Sequence, residues 1–349
     1  MSIYIISNRE VTTDQAGKEQ FKEGGTEHAL PTFRIAEYNE DGTYDIINDH
    51  FPSDYSAVSK AVSDNQGADK LGGTSKMLFN LYKNLLDDKE PADVLFFIHG
   101  FANSFESNVD NIERLKERFI DDQSSPIKHL VYLSWPTRSN YLHYHDDQKD
   151  ARVTGMVLAR LYDQLLDFFI EMFKNNSHAH CGHKIHLAAH SMGNQVLKHM
   201  LMNLHGKLYP FFGEVLLLHS DVEDDVFEPR QPFCKLEALA ERTHMYIHKS
   251  DDALWISCMT KNFNKRLGKR GPKNMANLND ETFVIDTTNV PSGDNFKERK
   301  IDHWGYIESD IEVADIIKVL NGKDDEDISH RKKRSDKYYI LTEKKKKKK

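Results

Sequence analysis

Cysteine is scarce in this chain: three residues in 349, Cys181, Cys234 and Cys258. An odd, sparse set cannot build a disulfide framework and fits a reducing, cytoplasmic compartment. No apolar run approaches the roughly 18 residues that a transmembrane helix needs. The start, MSIYIISNREV, has neither a basic n-region nor a long apolar h-region, so no signal peptide is expected. No internal repeat is visible. Positive charge is not in excess either: 47 Lys and Arg stand against 55 Asp and Glu, a formal net charge of −8. Such a balance gives no general reason to expect nucleic acid as a partner. What remains, 29% charged and 39% hydrophobic residues, is the composition of a soluble globular protein, with length for one large α/β domain or two smaller ones.

The chain is organised around Lys184–Gln195, KIHLAAHSMGNQ. An apolar run ends at His190-Ser191-Met192-Gly193, and a helical pattern follows through Val196, Leu197 and Met200. Strand, sharp turn with a serine at its apex, then helix is the layout of a nucleophile elbow. Ala189 and Gly193, two positions either side of Ser191, are small enough for strand and helix to approach closely. The usual motif is G-x-S-x-G, and alanine replaces its first glycine here. A match this short is not specific by itself.

Around that stretch the pattern alternates. Ile3–Ile6 predicts a strand. Phe33–Tyr38 and Thr43–Ile47 predict a hairpin about Asn39-Glu40-Asp41-Gly42. Together they predict a largely antiparallel leading edge within an N-terminal β extension, residues 1–75. Ser75 is a candidate cap for a helix from Lys76 to Leu86. Val94–Ile98, a continuous apolar run, reads as a strand buried on both faces. Helix Asn108–Phe119, strand Leu130–Ser134 and a long helix Ala151–Phe173 precede the serine stretch. Strands Val215–Leu218, Thr243–Ile247 and Thr282–Ile285 follow it, with helices at Trp255–Phe263 and Ile311–Leu320. Strands alternating with helices predict an α/β fold with a mostly parallel, doubly wound sheet. Residues 1–322 read as one domain with its core at 90–320. Residues 323–349, charge-dense and ending in six lysines, read as a disordered, solvated tail. The functional alternative for the tail is electrostatic contact with anionic lipid or nucleic acid.

In a parallel sheet, reactive groups gather at the carboxyl ends of the strands. The residues found there are His99-Gly100-Phe101, Trp135-Pro136, Ser191, His219-Ser220-Asp221, His248 to Asp252, Asp286 and, beyond a loop, His303. The order Ser…Asp…His is that of the α/β-hydrolase triad. Ser191 is then the nucleophile and His303 the base, and Asp251, Asp221, Asp252 and Asp286 compete as the acid. The backbone N–H groups of Met192 and Phe101 are the oxyanion donors, Gly100 permits their turn, and His99 supports the loop.

These blocks resemble the α/β-hydrolases, most of all a bacterial branch long catalogued as being of unknown function. The residues that carry the resemblance are His99-Gly100-Phe101, Ser134-Trp135-Pro136, His190-Ser191-Met192-Gly193-Asn194, the run Asp221 to Phe227, and Asp251-Asp252-Ala253-Leu254. It spans roughly residues 90–320. It implies the α/β-hydrolase fold and favours Asp251 as the acid, since Asp251 opens the D-x-A-L block. Asp221 then serves to fix a loop. The expected activity is hydrolysis of a small-molecule or lipid carboxylic ester through an acyl-serine, without metal or organic cofactor. The alternatives are acyl transfer or thioester cleavage at the same site, and a non-catalytic binding module on the same fold.

Two further clusters read as polar loops. His178-Ala179-His180-Cys181-Gly182-His183 has metal-binding residue types, but lies at the entrance of the serine strand, away from the chemistry. His143-Tyr144-His145-Asp146-Asp147 connects a strand to the long helix. Phe101, Phe105, Trp135, Tyr141 and Trp304 are the aromatic candidates to line a pocket. Only Asp225–Glu241 separates two successive strands, leaving no room for a long lid.

Overall fold

In the computed structural model, the described residues are all but 24–27, 48, 50–51, 53, 65–66, 87–91, 102, 139–142, 176–182, 207, 255–264, 291–302 and 344–349. The predicted helix at Trp255–Phe263 lies outside them. So do Tyr141, the His178–Cys181 cluster apart from His183, and the terminal lysines.

The apolar runs become one sheet. Its strands in chain order are β1 Ser2–Ser7, β4 Arg34–Tyr38, β5 Tyr44–Ile47, β6 Asp93–Ile98, β7 Ile127–Ser134, β8 Ile185–His190, β9 Phe212–Leu218, β10 Ala240–Ile247, β11 Thr282–Asp286, β12 Arg331–Ser335 and β13 Tyr338–Leu341. A separate pair, β2 Val11–Thr13 and β3 Glu19–Phe21, stands beside it. The spatial order is β12-β13-β11-β10-β9-β8-β6-β7-β1-β4-β5. Every neighbouring pair from β13 to β1 is parallel, and an antiparallel strand or hairpin closes each edge.

Period-two alternation sends successive side chains to opposite faces. Val94, Phe96 and Ile98 join one core with helices α1 Ser56–Asp64, α2 Gly73–Leu86, α4 Tyr144–Asn175 and α5 Gly193–Asn203. Leu95 and Phe97 join a second core with α3 Phe105–Leu115 and α6 Asp310–Leu320. Both faces are therefore apolar, and the reactive carboxyl edge is where polar groups collect. No helix among the described residues is long and apolar enough to cross a membrane.

Four expectations bear on the fold. First, the leading edge is antiparallel as expected, β1 with β4 and β4 with β5, and β1 also pairs parallel with β7 through Ser2–Ser7, which joins this edge to the parallel sheet. Second, α2 starts at Gly73, ahead of Ser75, because the Asp49 carboxylate accepts from the Thr74 N–H at 2.9 Å. A cap supplied 25 residues upstream leaves no local signature. Third, α4 starts at Tyr144, so most of the predicted His143–Asp147 loop is helix. Asp146 and Asp147 lie in its first turn, where acids suit the helix dipole.

Fourth, residues 323–343 are not a disordered tail. Arg331–Ser335 and Tyr338–Leu341 form β12 and β13, and β13 pairs with β11. Tyr339 and Leu341 are buried, and the buried Arg331 guanidinium pairs with Asp315 of α6 at 2.7 Å and with Asp325. Charge density argues for disorder only while the charges lack partners, and here α6 supplies one.

Candidate active site

At the end of β8 the backbone turns sharply. Ser191 has φ 51°, one of three non-glycine residues with positive φ among those described. An L-residue held in that region costs of order 1–3 kcal/mol and persists only when its surroundings over-determine it. Here they do. The Ser191 N–H donates to the Leu218 carbonyl of β9 (3.0 Å), and the Ser191 carbonyl accepts from the N–H groups of Asp221 (3.0 Å) and Asn194 (3.1 Å). The glycines on either side allow the close approach. A Cβ on Gly193 would stand 2.6 Å from the Ile98 carbonyl oxygen, and one on Gly100 2.8 Å from the Ser191 Cβ. Helix α5 starts directly after Met192, which is fully buried.

Of the four candidate acids, Asp251 is the one whose carboxylate meets His303. His303 Nδ1 lies 2.7 Å from Asp251 Oδ2. The other carboxylates are engaged elsewhere: Asp221 accepts from the Tyr144 hydroxyl (2.6 Å) and pairs with Arg266 (3.1 Å), and Asp286 accepts from the Tyr338 hydroxyl (2.7 Å). Asp252 is exposed. Asp251 itself is fully buried; its Oδ1 accepts from the Leu254 N–H (3.0 Å) and its carbonyl from Lys269 Nζ (2.8 Å). Burial alone would raise its pKa, but the facing His303 and His219 outweigh it and hold the carboxyl below the usual carboxylate range. With its Nδ1–H given to that carboxylate, His303 keeps Nε2 as the nitrogen that accepts a proton.

His99 pins the loop after β6. Its Nε2 accepts from the Trp135 N–H (3.0 Å), its Nδ1–H donates to the Gly100 carbonyl (2.7 Å), and its ring stacks on Trp135 at 5.4 Å. The Trp135 indole N–H donates back to the His99 carbonyl (2.8 Å). Burial, with Arg9 nearby, pushes the His99 pKa down to about 3, so the ring stays neutral and serves as a brace. His190 is a second brace. Its Nε2–H donates to the His303 carbonyl (2.9 Å), and its ring lies 4.7 Å from those of His303 and Trp304. Burial, helped by His303 and His219, keeps it neutral too.

One group among the described residues has ligand atoms close enough to suggest a metal: His219, Asp251 and His303, all within 4.8 Å of one another. Two ligand atoms on a tetrahedral zinc stand about 3.3 Å apart when each bond is about 2.0–2.1 Å. The 2.7 Å between His303 and Asp251 is shorter, and is the distance of a charge-assisted hydrogen bond. Of the histidine cluster before β8, His183 alone is described, and its Nδ1 accepts from the Ala92 N–H at 3.3 Å.

A family model described as an alpha/beta hydrolase of unknown function (DUF900) matches residues 78–318. The chain belongs to this family. No curated protein and no solved structure matches it significantly.

In this α/β-hydrolase the predicted aromatics divide. Phe101 is half-buried and packs edge-on to Tyr144 at 5.5 Å, and Trp304 is half-buried over His190. Trp135 is fully buried as the partner of His99. Phe105 does not reach the site: it packs with Phe21 and Tyr44 on the far core. Sequence reasoning passed over Arg9, Asn103 and Arg266. The fully buried Arg9 donates to the Asn103 carbonyl (2.9 Å), and Asn103 Nδ2 to the carbonyls of Gly100 and Phe101 (3.2 Å each), stiffening the loop. No local signal marks an arginine that acts across more than ninety residues.

Proposed function

We propose that this α/β-hydrolase cleaves carboxylic esters through an acyl-serine, with Ser191, His303 and Asp251 as its triad. The observation that carries the reading is the 2.7 Å contact of His303 Nδ1 with a buried Asp251, on the same sheet edge as a serine held at φ 51°. His303 Nε2 takes the Ser191 Oγ proton while Oγ forms a bond to the acyl carbon. The proton passes to the departing alkoxide as its C–O bond breaks. Water, deprotonated by the same nitrogen, then attacks the acyl carbon and releases acid and free serine. Asp251 orients His303 and stabilises its imidazolium. The backbone N–H groups of Met192 and Phe101 would face the developing oxyanion, at the N-terminal, positive end of α5; one such donor is worth about 3–4 kcal/mol.

The test is labelling with a fluorophosphonate probe. Wild type should label and Ser191→Ala should not, with circular dichroism unchanged. Absence of Ser191-dependent labelling would leave the fold as a binding module. A chain-length series of model esters then separates a short-chain esterase from a lipase, and added alcohol or thiol acceptors expose acyl transfer.

A further inference from the structure

Behind Asp251 lies a buried pair that the proposed mechanism does not use. His219 follows β9 with φ 46°, another strained residue, and its ring is fully buried. Its Nε2 lies 3.2 Å from Glu312 Oε1 and its Nδ1 3.6 Å from Asp251 Oδ2. Glu312, buried in the first turn of α6, comes from an element that supplies nothing else to the site. Asp251 Oδ2 thus faces two imidazoles, His303 at 2.7 Å and His219 at 3.6 Å.

We propose that His219 and Glu312 form a positioning pair, in which a doubly protonated His219 anchored by Glu312 fixes the Asp251 carboxylate for His303. The inference rests on the triad reading above. A neutral imidazole has one N–H and one lone pair, so it would aim a lone pair at one of its two carboxylates. Both carboxylates are buried, and a buried carboxylate is costly without a cation or donors. The other titratable groups facing His219 are His190 at 6.5 Å from β8, His248 at 6.4 Å after β10 and His303 at 5.9 Å. Lys269 reaches only the Asp251 carbonyl. No other cation in this set serves both carboxylates. Burial would lower the His219 pKa, but Glu312 and Asp251 raise it to about 10.

The arrangement tempers the site. A positive charge beside Asp251 offsets part of the field that Asp251 exerts on His303. His219→Asn should therefore lower kcat by about 10- to 100-fold at little change in KM, and move the acid limb of kcat/KM upward by about one pH unit. Glu312→Gln should act in the same direction more weakly, and Glu312→Asp should recover part of the loss. A kcat loss with an unmoved acid limb would mean a merely structural role and overturn the inference.

A measurement on the unmutated full chain guards against variants that fail to fold. In histidine-15N-labelled protein at about pH 8, where an ordinary histidine is neutral, both ring nitrogens of His219 should carry protons. A neutral His219 overturns the pair while leaving Ser191-dependent probe labelling untouched. Absence of that labelling overturns the triad, and the pair with it.

Discussion

Two buried histidines in this protein each stand between two carboxylates, and their third partners differ. His244 on β10 has Nδ1 3.3 Å from Glu214 and Nε2 3.1 Å from Asp325. Around those acids sit Arg242, 2.6 Å from Glu214, and Arg331, paired with Asp325 and Asp315. His219 has Glu312 and Asp251 as its acids, and the third member is His303. Arginine does not release its proton in proteins, so the cations around His244 are permanent and the network works as scaffolding. It ties β9, β10, α6 and the C-terminal hairpin together. The network around His219 ends instead in His303, which under the proposed mechanism passes the proton. The backbone agrees: positive φ at Ser191 and His219 marks the second network, and nothing comparable marks the first.

The comparison breaks most visibly through Asp251→Asn. It should lower kcat about 10⁴-fold, measured with the ester that the probe experiments select, and cost stability as well, since the buried Asp251 faces His303 and His219. Arg331→Met should cost stability and spare activity. Losing one partner of a buried ion pair costs about 3–5 kcal/mol, read from urea denaturation, while the Km for the same ester stays put. If Arg331→Met lost activity at unchanged stability, the division between scaffold and device would fail.

A smaller effect lies in pH. His99 and His129 are held down to about 3 and about 4, each by burial first. The unfolded chain therefore binds protons below about 6.5 that the folded one refuses. Stability should fall as pH drops from 6.5 toward 4, by up to about 1.4 kcal/mol per unit for each such histidine. His219 has the opposite sign. Its contribution is complete below about 6.5 and is lost as pH rises through about 10. Stability of His219→Asn followed against pH should lack that alkaline loss. A wild-type curve flat on both sides would show that neither these two histidines nor His219 feel their surroundings as described.

Much of the site was legible because its signals are local. Small neighbours are needed wherever a strand and a helix meet at a serine, so Ala189, Gly100 and Gly193 advertise the turn. Apolar runs such as Val94–Ile98 advertise strands buried on both faces, and the residues after them must lie on one edge. Asp251 was favoured among four aspartates only through the resemblance carried by its D-x-A-L block, and not by a local signal. The tail was misread because composition counts charges without partners, whereas Arg331 meets Asp315 and Asp325 only after α6 and β13 have docked.

Sequence by itself determined the parallel α/β sheet, the serine turn and the order in which Ser191, Asp251 and His303 follow strands to one sheet edge, since all follow from side-chain size and hydrophobic period along the chain. Tertiary structure alone decided which acid meets His303, and that Glu312 reaches behind it through His219. Those are contacts between residues 52 and 93 positions apart. Burial strengthens them into a network, and neither distance nor burial is written in the residues that make the contact.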